Sequence, residues 1–130
     1  MALMGERAMP EVKILVVEDN PMNMLLATEL LKFAGYSPLQ AETAEEAMKM
    51  VETDPPALIL MDISLPGMDG LSATRILKKD PKTRNIPIVA LTAHAMKGDE
   101  QKALDAGCDG YIAKPISVAT FSSTIARHLK

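Results

Sequence analysis

Five short apolar runs, each trailed by a stretch of helical periodicity, recur through the 130 residues of the chain. They are Lys13 to Val17, Tyr36 to Ala41, Ala57 to Met61, Pro87 to Leu91 and Gly110 to Ala113. Strands alternating with helices in this way run parallel, because each helix returns the chain to the starting edge of the sheet. The third run, Ala57-Leu58-Ile59-Leu60-Met61, has no polar alternation and predicts a strand buried on both faces. An α/β fold follows, a parallel sheet with helices on both sides, and right-handed crossovers leave few topologies. No linker, low-complexity segment or convincing repeat interrupts the pattern, and the length suits one domain with a real core.

Local chemistry marks the helix boundaries. Asn20-Pro21 supplies a polar cap and a proline at the first helical position, and Gly35 suits the residue just past the end. Within that helix Asn23, Leu26, Ala27, Leu30, Leu31 and Ala34 recur at steps of three and four, predicting the inward stripe. Met22, Met24, Leu25 and Phe33 fall outside it, as surplus hydrophobes on a face that is normally polar. Pro38 cannot donate to a ladder and puts the second strand near an edge. Thr43-Ala44-Glu45-Glu46 is a capping-box sequence, opening a helix that buries Ala44, Ala47, Met48 and Val51. A third helix is expected from Gly70 to about Lys79 and a fourth from roughly Gly98 to Ala106. Ser117 caps the last, with Val118, Phe121, Ile125 and Leu129 inward.

A net charge of −3, with no Lys/Arg cluster on any predicted helix, argues against a nucleic-acid surface. The single cysteine, Cys108, cannot form an internal disulfide, which fits a reducing cytoplasm, and it reads as a small structural residue. No apolar run approaches the ~20 residues of a membrane helix, and residues 1–10 lack a stretch of signal-peptide length. Residues 1–11 are expected to be an extension: a vector remnant, an upstream start before Met9, or a flexible arm.

Chemistry-bearing residues collect where strands leave the core. The first run ends in Glu18 and Asp19, the third in Asp62, the fourth in Thr92 and the fifth in Lys114. Open α/β sheets bind ligands outside the carboxyl ends of their strands. Three close carboxylates repel one another unless a cation intervenes, and a hard divalent ion such as Mg²⁺ (with Mn²⁺ as a substitute) suits carboxylate oxygens. Asp62, the most central, is the candidate nucleophile of an aspartyl-phosphate mechanism. Lys114 and the cation would neutralise the transferring phosphoryl group, and Thr92 would donate a further hydrogen bond. Any one of these groups alone is more simply a polar strand end; their register on one sheet edge favours a site.

Glu18-Asp19, Asp62 before Leu65-Pro66-Gly67-Met68-Asp69-Gly70, Leu91-Thr92-Ala93 and Lys114-Pro115 together resemble the receiver domain of two-component response regulators, from Lys13 to Lys130. The resemblance implies a flavodoxin-like (βα)5 doubly wound sheet of order 2-1-3-4-5, with residues 12–130 as the receiver unit. It implies that Asp62 takes phosphate from a histidine kinase or histidine phosphotransfer protein. Asp19, Asp62 and the Ser64 carbonyl would hold Mg²⁺, with Glu18 acting through water. It further implies a cis Lys114–Pro115 bond and a switch in which Thr92 moves toward the phosphoryl group while Tyr111 swings inward. The surface of helix four, strand five and helix five would then change for a downstream protein effector. Such a domain catalyses only its own phosphorylation and dephosphorylation, is cytoplasmic, and is a monomer or weak dimer. Glu18-Asp19-Asn20-Pro21, the stretch Thr92 to Asp99 and Lys114-Pro115-Ile116-Ser117 are most similar to single-domain regulators of the DivK type.

Glu18 replaces the Asp often found at the first acidic position. Ser64 and His94 occupy the variable positions that tune dephosphorylation, and neither dictates a rate. A lone His94 has no second ligand at metal spacing, and His128 is expected to be solvated. Met22 and Leu25 border the mouth of Asp62, and flexible apolar surfaces of this kind bind partners, here the helical hairpin carrying the donor histidine. A receiver within a hybrid histidine kinase fits the same residues. A phosphatase or transferase of the haloacid-dehalogenase type would want an Asp two positions after the nucleophile, where Ser64 stands. A degenerate receiver used only for binding would lack part of the acidic pair, nucleophile and lysine set.

Overall fold

The computed structural model describes residues 11–65, 67–93 and 98–129. Its strands are β1 (Lys13–Val17), β2 (Ser37–Ala41), β3 (Leu58–Asp62), β4 (Ile88–Thr92) and β5 (Gly110–Ala113). The helices between and after them are α1 (Pro21–Phe33), α2 (Ala44–Thr53), α3 (Gly70–Lys79), α4 (Asp99–Ala106) and α5 (Val118–His128). The strands pair in parallel in the order β2-β1-β3-β4-β5. The chain moves outward from β1 to β2 and then resumes on the other side of β1, so its direction reverses between β1 and β3. Pro38 lies on the edge strand β2, where a missing donor is tolerated.

Side chains alternate across the sheet and build two cores. Leu15, Val17, Ile59, Met61, Ile88 and Ala90 pack under α2, α3 and α4 through Ala47, Val51, Ala73, Leu77 and Ala103. Ile14, Val16, Leu58, Leu60, Val89 and Leu91 pack on the opposite side under α1 and α5 through Ala27, Leu31, Phe121 and Ile125. All of β3 is buried, because helices cover both of its faces. Gly70 at the start of α3 lets that helix sit directly on β3. A β carbon there would overlap the Asp62 carbonyl oxygen and stand 2.9 Å from Ile63 Cα.

Capping follows the local sequence. Asn20 accepts from the amides of Met22 and Asn23 at 2.9 and 3.0 Å, and Gly35 adopts φ 95° just past α1. Thr43 accepts from the Glu46 amide at 3.1 Å, while the Glu46 carboxylate takes the amide of Glu42 at 2.8 Å rather than that of Thr43. Ser117 occupies its cap position with no side-chain cap bond.

The packing of α1 corrects its predicted stripe. Met24, Ala27, Thr28 and Leu31 are buried, whereas Leu26 is on the exposed side and Ala34 lies beyond the helix end. Apolar residues surround α1 almost evenly, so periodicity does not select a face; tertiary docking does, and Thr28 bonds to Gln40 Nε2 at 3.0 Å on β2. Met24 is therefore core. Met22, Leu25 and Phe33 remain exposed, at 72%, 55% and 93%. Val118 is exposed rather than inward, because Ile116 before the cap takes the core position and shares a cluster with Phe121. His128 is half-buried, its ring lying against Gly110 where a β carbon would collide with it. Glu11, placed in the extension, accepts a bond from Ser37 Oγ at 2.9 Å. Residues 1–10 and His94 lie outside the described residues.

Candidate functional site

Glu18 follows β1 directly, and its amide donates to Ala41 O at 3.0 Å, prolonging the β1–β2 ladder by one residue. Its Oε2 accepts from the Asn20 amide at 3.0 Å, so the turn into α1 holds the carboxylate inward. Glu18 is 1% exposed while Asp19, next in sequence, faces solvent. Asp62 ends β3 at 2% exposure, with Oδ1 accepting from the Ser64 amide at 2.9 Å. The register sets Asp62 beside Leu91 and Thr92 beside Ala113, which delivers Lys114 to the same edge. The Lys114 amide donates to Thr92 O at 2.7 Å, and the peptide bond that follows, Lys114–Pro115, is cis.

Lys114 Nζ stands 3.0 Å from Glu18 Oε1 and 3.1 Å from Asp62 Oδ2. One ammonium thus bridges two buried carboxylates contributed by neighbouring strands. Burial alone would lower the Lys114 pKa, but its bonds and charge pairing with Glu18 and Asp62 outweigh that and raise it. Burial is also the main influence on Glu18, and it raises that carboxyl above its usual value against the pull of the Asn20 amide and Lys114.

Glu18, Asp19 and Asp62 each offer a carboxylate oxygen within 4.8 Å of the others. Among the described residues Glu18 Oε1 meets only the Lys114 ammonium and makes no hydrogen bond of good geometry, so this buried oxygen has acceptor capacity to spare. An all-oxygen set of this kind fits a hard divalent cation and its bound waters. The donor set lies between the ends of β1 and β3, at the reversal of strand order where such sheets take ligands.

Thr92 ends β4 fully buried, and its hydroxyl donates to Asp99 Oδ2 at 2.9 Å. Tyr111 on β5 is exposed, with the Glu100 carboxylate beside its hydroxyl. Sequence reasoning brought Thr92 to this edge and the receiver resemblance singled out Tyr111, but Asp99 and Glu100 were missed. The one available signal was a pair of acids directly after Gly98, at the start of a short helix. It also missed Glu45, whose carboxylate lies 3.4 Å from the Met68 amide and touches the loop after β3.

The sequence model of the response regulator receiver domain matches residues 14–126. The chain belongs to the receiver domain family. The receiver is 45% identical over 116 residues to the polar-differentiation response regulator DivK of Brucella ovis, across 89% of this chain and 94% of that protein. Among solved structures it resembles the receiver domain of the sensor histidine kinase PA1611 of Pseudomonas aeruginosa, described with a magnesium ion coordinated in the active-site cleft. That match has a TM-score of 0.85 and 37% identity, covering 92% of this chain and 98% of that one. The chemotaxis response regulator CheY4 of Vibrio cholerae shares the fold at a TM-score of 0.86 and 24% identity, covering 92% and 100%. The receiver is thus a DivK-like signalling domain, a class that is generally not enzymatic, binds Mg²⁺ at an acidic pocket and works with a histidine kinase. Among the described residues no helix is long and apolar enough to cross a membrane.

Proposed function

We propose that this receiver is a phosphoacceptor switch in which an oxygen of Asp62 takes a phosphoryl group from a phosphohistidine of a histidine kinase or phosphotransfer protein. The N–P bond breaks as an O–P bond forms, and the histidine nitrogen keeps the bonding pair. Hydrolysis reverses the state: water oxygen bonds to phosphorus, the O–P bond to Asp62 breaks, and inorganic phosphate leaves with a free carboxylate behind. The domain does no other chemistry, and its setting is cytoplasmic.

The observation that carries this reading is the buried Asp62 carboxylate, bridged by Lys114 and adjoining two further acids. Of the three carboxylates Asp62 suits the nucleophile. Glu18 is committed to the Asn20 amide and to Lys114, and Asp19 lies on the rim. Asp19, Asp62 and the Ser64 carbonyl would hold Mg²⁺ or Mn²⁺, with Glu18 reaching it through water. When bound, the ion neutralises charge on the carboxylates and phosphoryl oxygens. In the resting site both carboxylates stabilise the charge of Lys114, and its ammonium can follow a phosphoryl oxygen from Asp62 Oδ2.

Thr92 responds by turning its hydroxyl to the phosphoryl group, and Tyr111 moves into the space released. The α4–β5–α5 face so altered is read by a downstream protein effector. Two packings separated by a few kcal/mol suffice for such a shift. Met22 and Leu25 at the head of α1 dock the helical hairpin that carries the donor histidine, as the exposure of both and the place of Leu25 in a cleft with Glu18 and Asp19 support. The signalling unit spans 12–130, preceded by an extension at 1–11.

Labelling with acetyl phosphate and Mg²⁺ tests the central claim. Wild-type protein should take up phosphate and Asp62→Asn should not; undiminished labelling of the variant would refute the assignment.

A further inference from the structure

Asp99 is the first residue of α4, a helix whose cap position is Gly98 and which has no side-chain cap. Its carboxylate Oδ2 accepts the hydroxyl proton of Thr92 at 2.9 Å, tying the beginning of α4 to the end of β4. Thr92 is wholly buried, so the donor end of this part-buried bond is out of water, which strengthens a bond to an ionisable acceptor. A hydroxyl has a single proton to give. While that proton points at Asp99, it is withheld from an oxygen at Asp62.

We propose that Asp99 is a positioning residue which holds the Thr92 hydroxyl in its resting orientation, so that a phosphoryl group on Asp62 must outcompete this carboxylate and, in doing so, unties the start of α4. The inference deepens the phosphoacceptor reading and rests on it. The neighbouring residue extends the argument. Glu100 stands beside the Tyr111 hydroxyl, raising its pKa through the bond and the charge it offers. One helical turn therefore touches both residues of the switch, Thr92 through Asp99 and Tyr111 through Glu100. Loss of the Thr92 bond frees the element that also faces Tyr111, which links events at Asp62 to the outer face of β5 without a separate relay.

Beryllofluoride with Mg²⁺, a phosphoryl mimic, is the probe, and its half-saturating concentration is read from amide NMR shifts. Asp99→Ala removes the competitor and should lower that concentration about tenfold, the scale of one hydrogen bond to a charged group. Asp99→Asn keeps shape and an acceptor but loses the charge, and should fall between wild type and Asp99→Ala. It also keeps the test alive if the alanine variant folds poorly. In a Thr92→Val background the Asp99 substitutions should have no further effect, because the proton they compete for is gone. A midpoint unchanged in both Asp99 variants, or shifted equally with and without the Thr92 hydroxyl, overturns the proposal. If the wild type does not bind, or Asp62→Asn binds equally well, the phosphoacceptor reading itself fails. Normal wild-type binding with unchanged Asp99 variants removes only the latch.

Discussion

Replacing Lys114 by Met removes one positive charge from between two buried carboxylates while keeping the apolar stem. Glu18 and Asp62 are 1% and 2% exposed, so water cannot take over from the ammonium at 3.0 and 3.1 Å. Breaking a buried pair costs roughly 3–5 kcal/mol. The freedom of Glu18 to protonate, and the 17% side-chain exposure of Lys114, bring the expected loss to about 2–3 kcal/mol at neutral pH without metal. With a urea slope near ~2 kcal/mol/M, the unfolding midpoint should fall by about 1–1.5 M. The pH dependence supplies a second constraint. A carboxyl whose folded pKa is raised contributes stability below its unfolded pKa and loses it as pH climbs through the folded value. Glu18 is already raised, chiefly by burial, and losing Lys114 raises it further. The deficit of the variant should therefore shrink as pH falls from neutrality toward 4.5, the unperturbed glutamate value. Millimolar Mg²⁺ should restore part of the loss, since it serves the same carboxylates. A midpoint within about 0.3 M of wild type, or a deficit constant across pH, would show that Lys114 does not hold these acids together.

Gly70→Ala sets helix propensity against packing. Alanine gains about 1 kcal/mol in a helix, yet its β carbon would overlap the Asp62 carbonyl, and overpacking of this kind costs about 1–3 kcal/mol. A net drop in Tm of a few degrees is expected by calorimetry, and a rise would contradict the close approach of α3 to β3. Cys108 is buried, and burial raises its thiol pKa above 9.0, so the native protein should alkylate about a hundredfold more slowly than the urea-unfolded chain. Comparable rates would place the thiol at the surface. Met22→Ser with Leu25→Ser should slow phosphoryl transfer from a partner kinase, leave acetyl-phosphate labelling intact, and alter stability by less than about 0.5 kcal/mol, as both side chains are exposed. Equal transfer rates would dismiss the docking patch.

The strand ends were legible in the chain because an apolar run and its exit residue are consecutive. Once five runs are parallel, connectivity alone carries Glu18, Asp19, Asp62, Thr92 and Lys114 to one edge. The helix caps at Asn20 and Thr43 were legible for the same local reason. Other features depend on how separate elements dock. The buried face of α1 required the sheet, since leucines and methionines surround that helix and any of several rotations satisfies the period. Val118 yielded its inward place to Ile116, which lies before the helix and packs in one cluster with Phe121. The two buried acids meeting one lysine, and the Thr92 hydroxyl meeting Asp99, are through-space pairings that strand spacing does not encode. By itself the sequence determined the order of elements, the parallel sheet and which polar groups reach its edge, because these follow from local patterning and chain direction. Only the tertiary structure decided which charge neutralises which and which hydroxyl faces which acceptor, because those depend on ångström-scale docking of helices from distant parts of the chain.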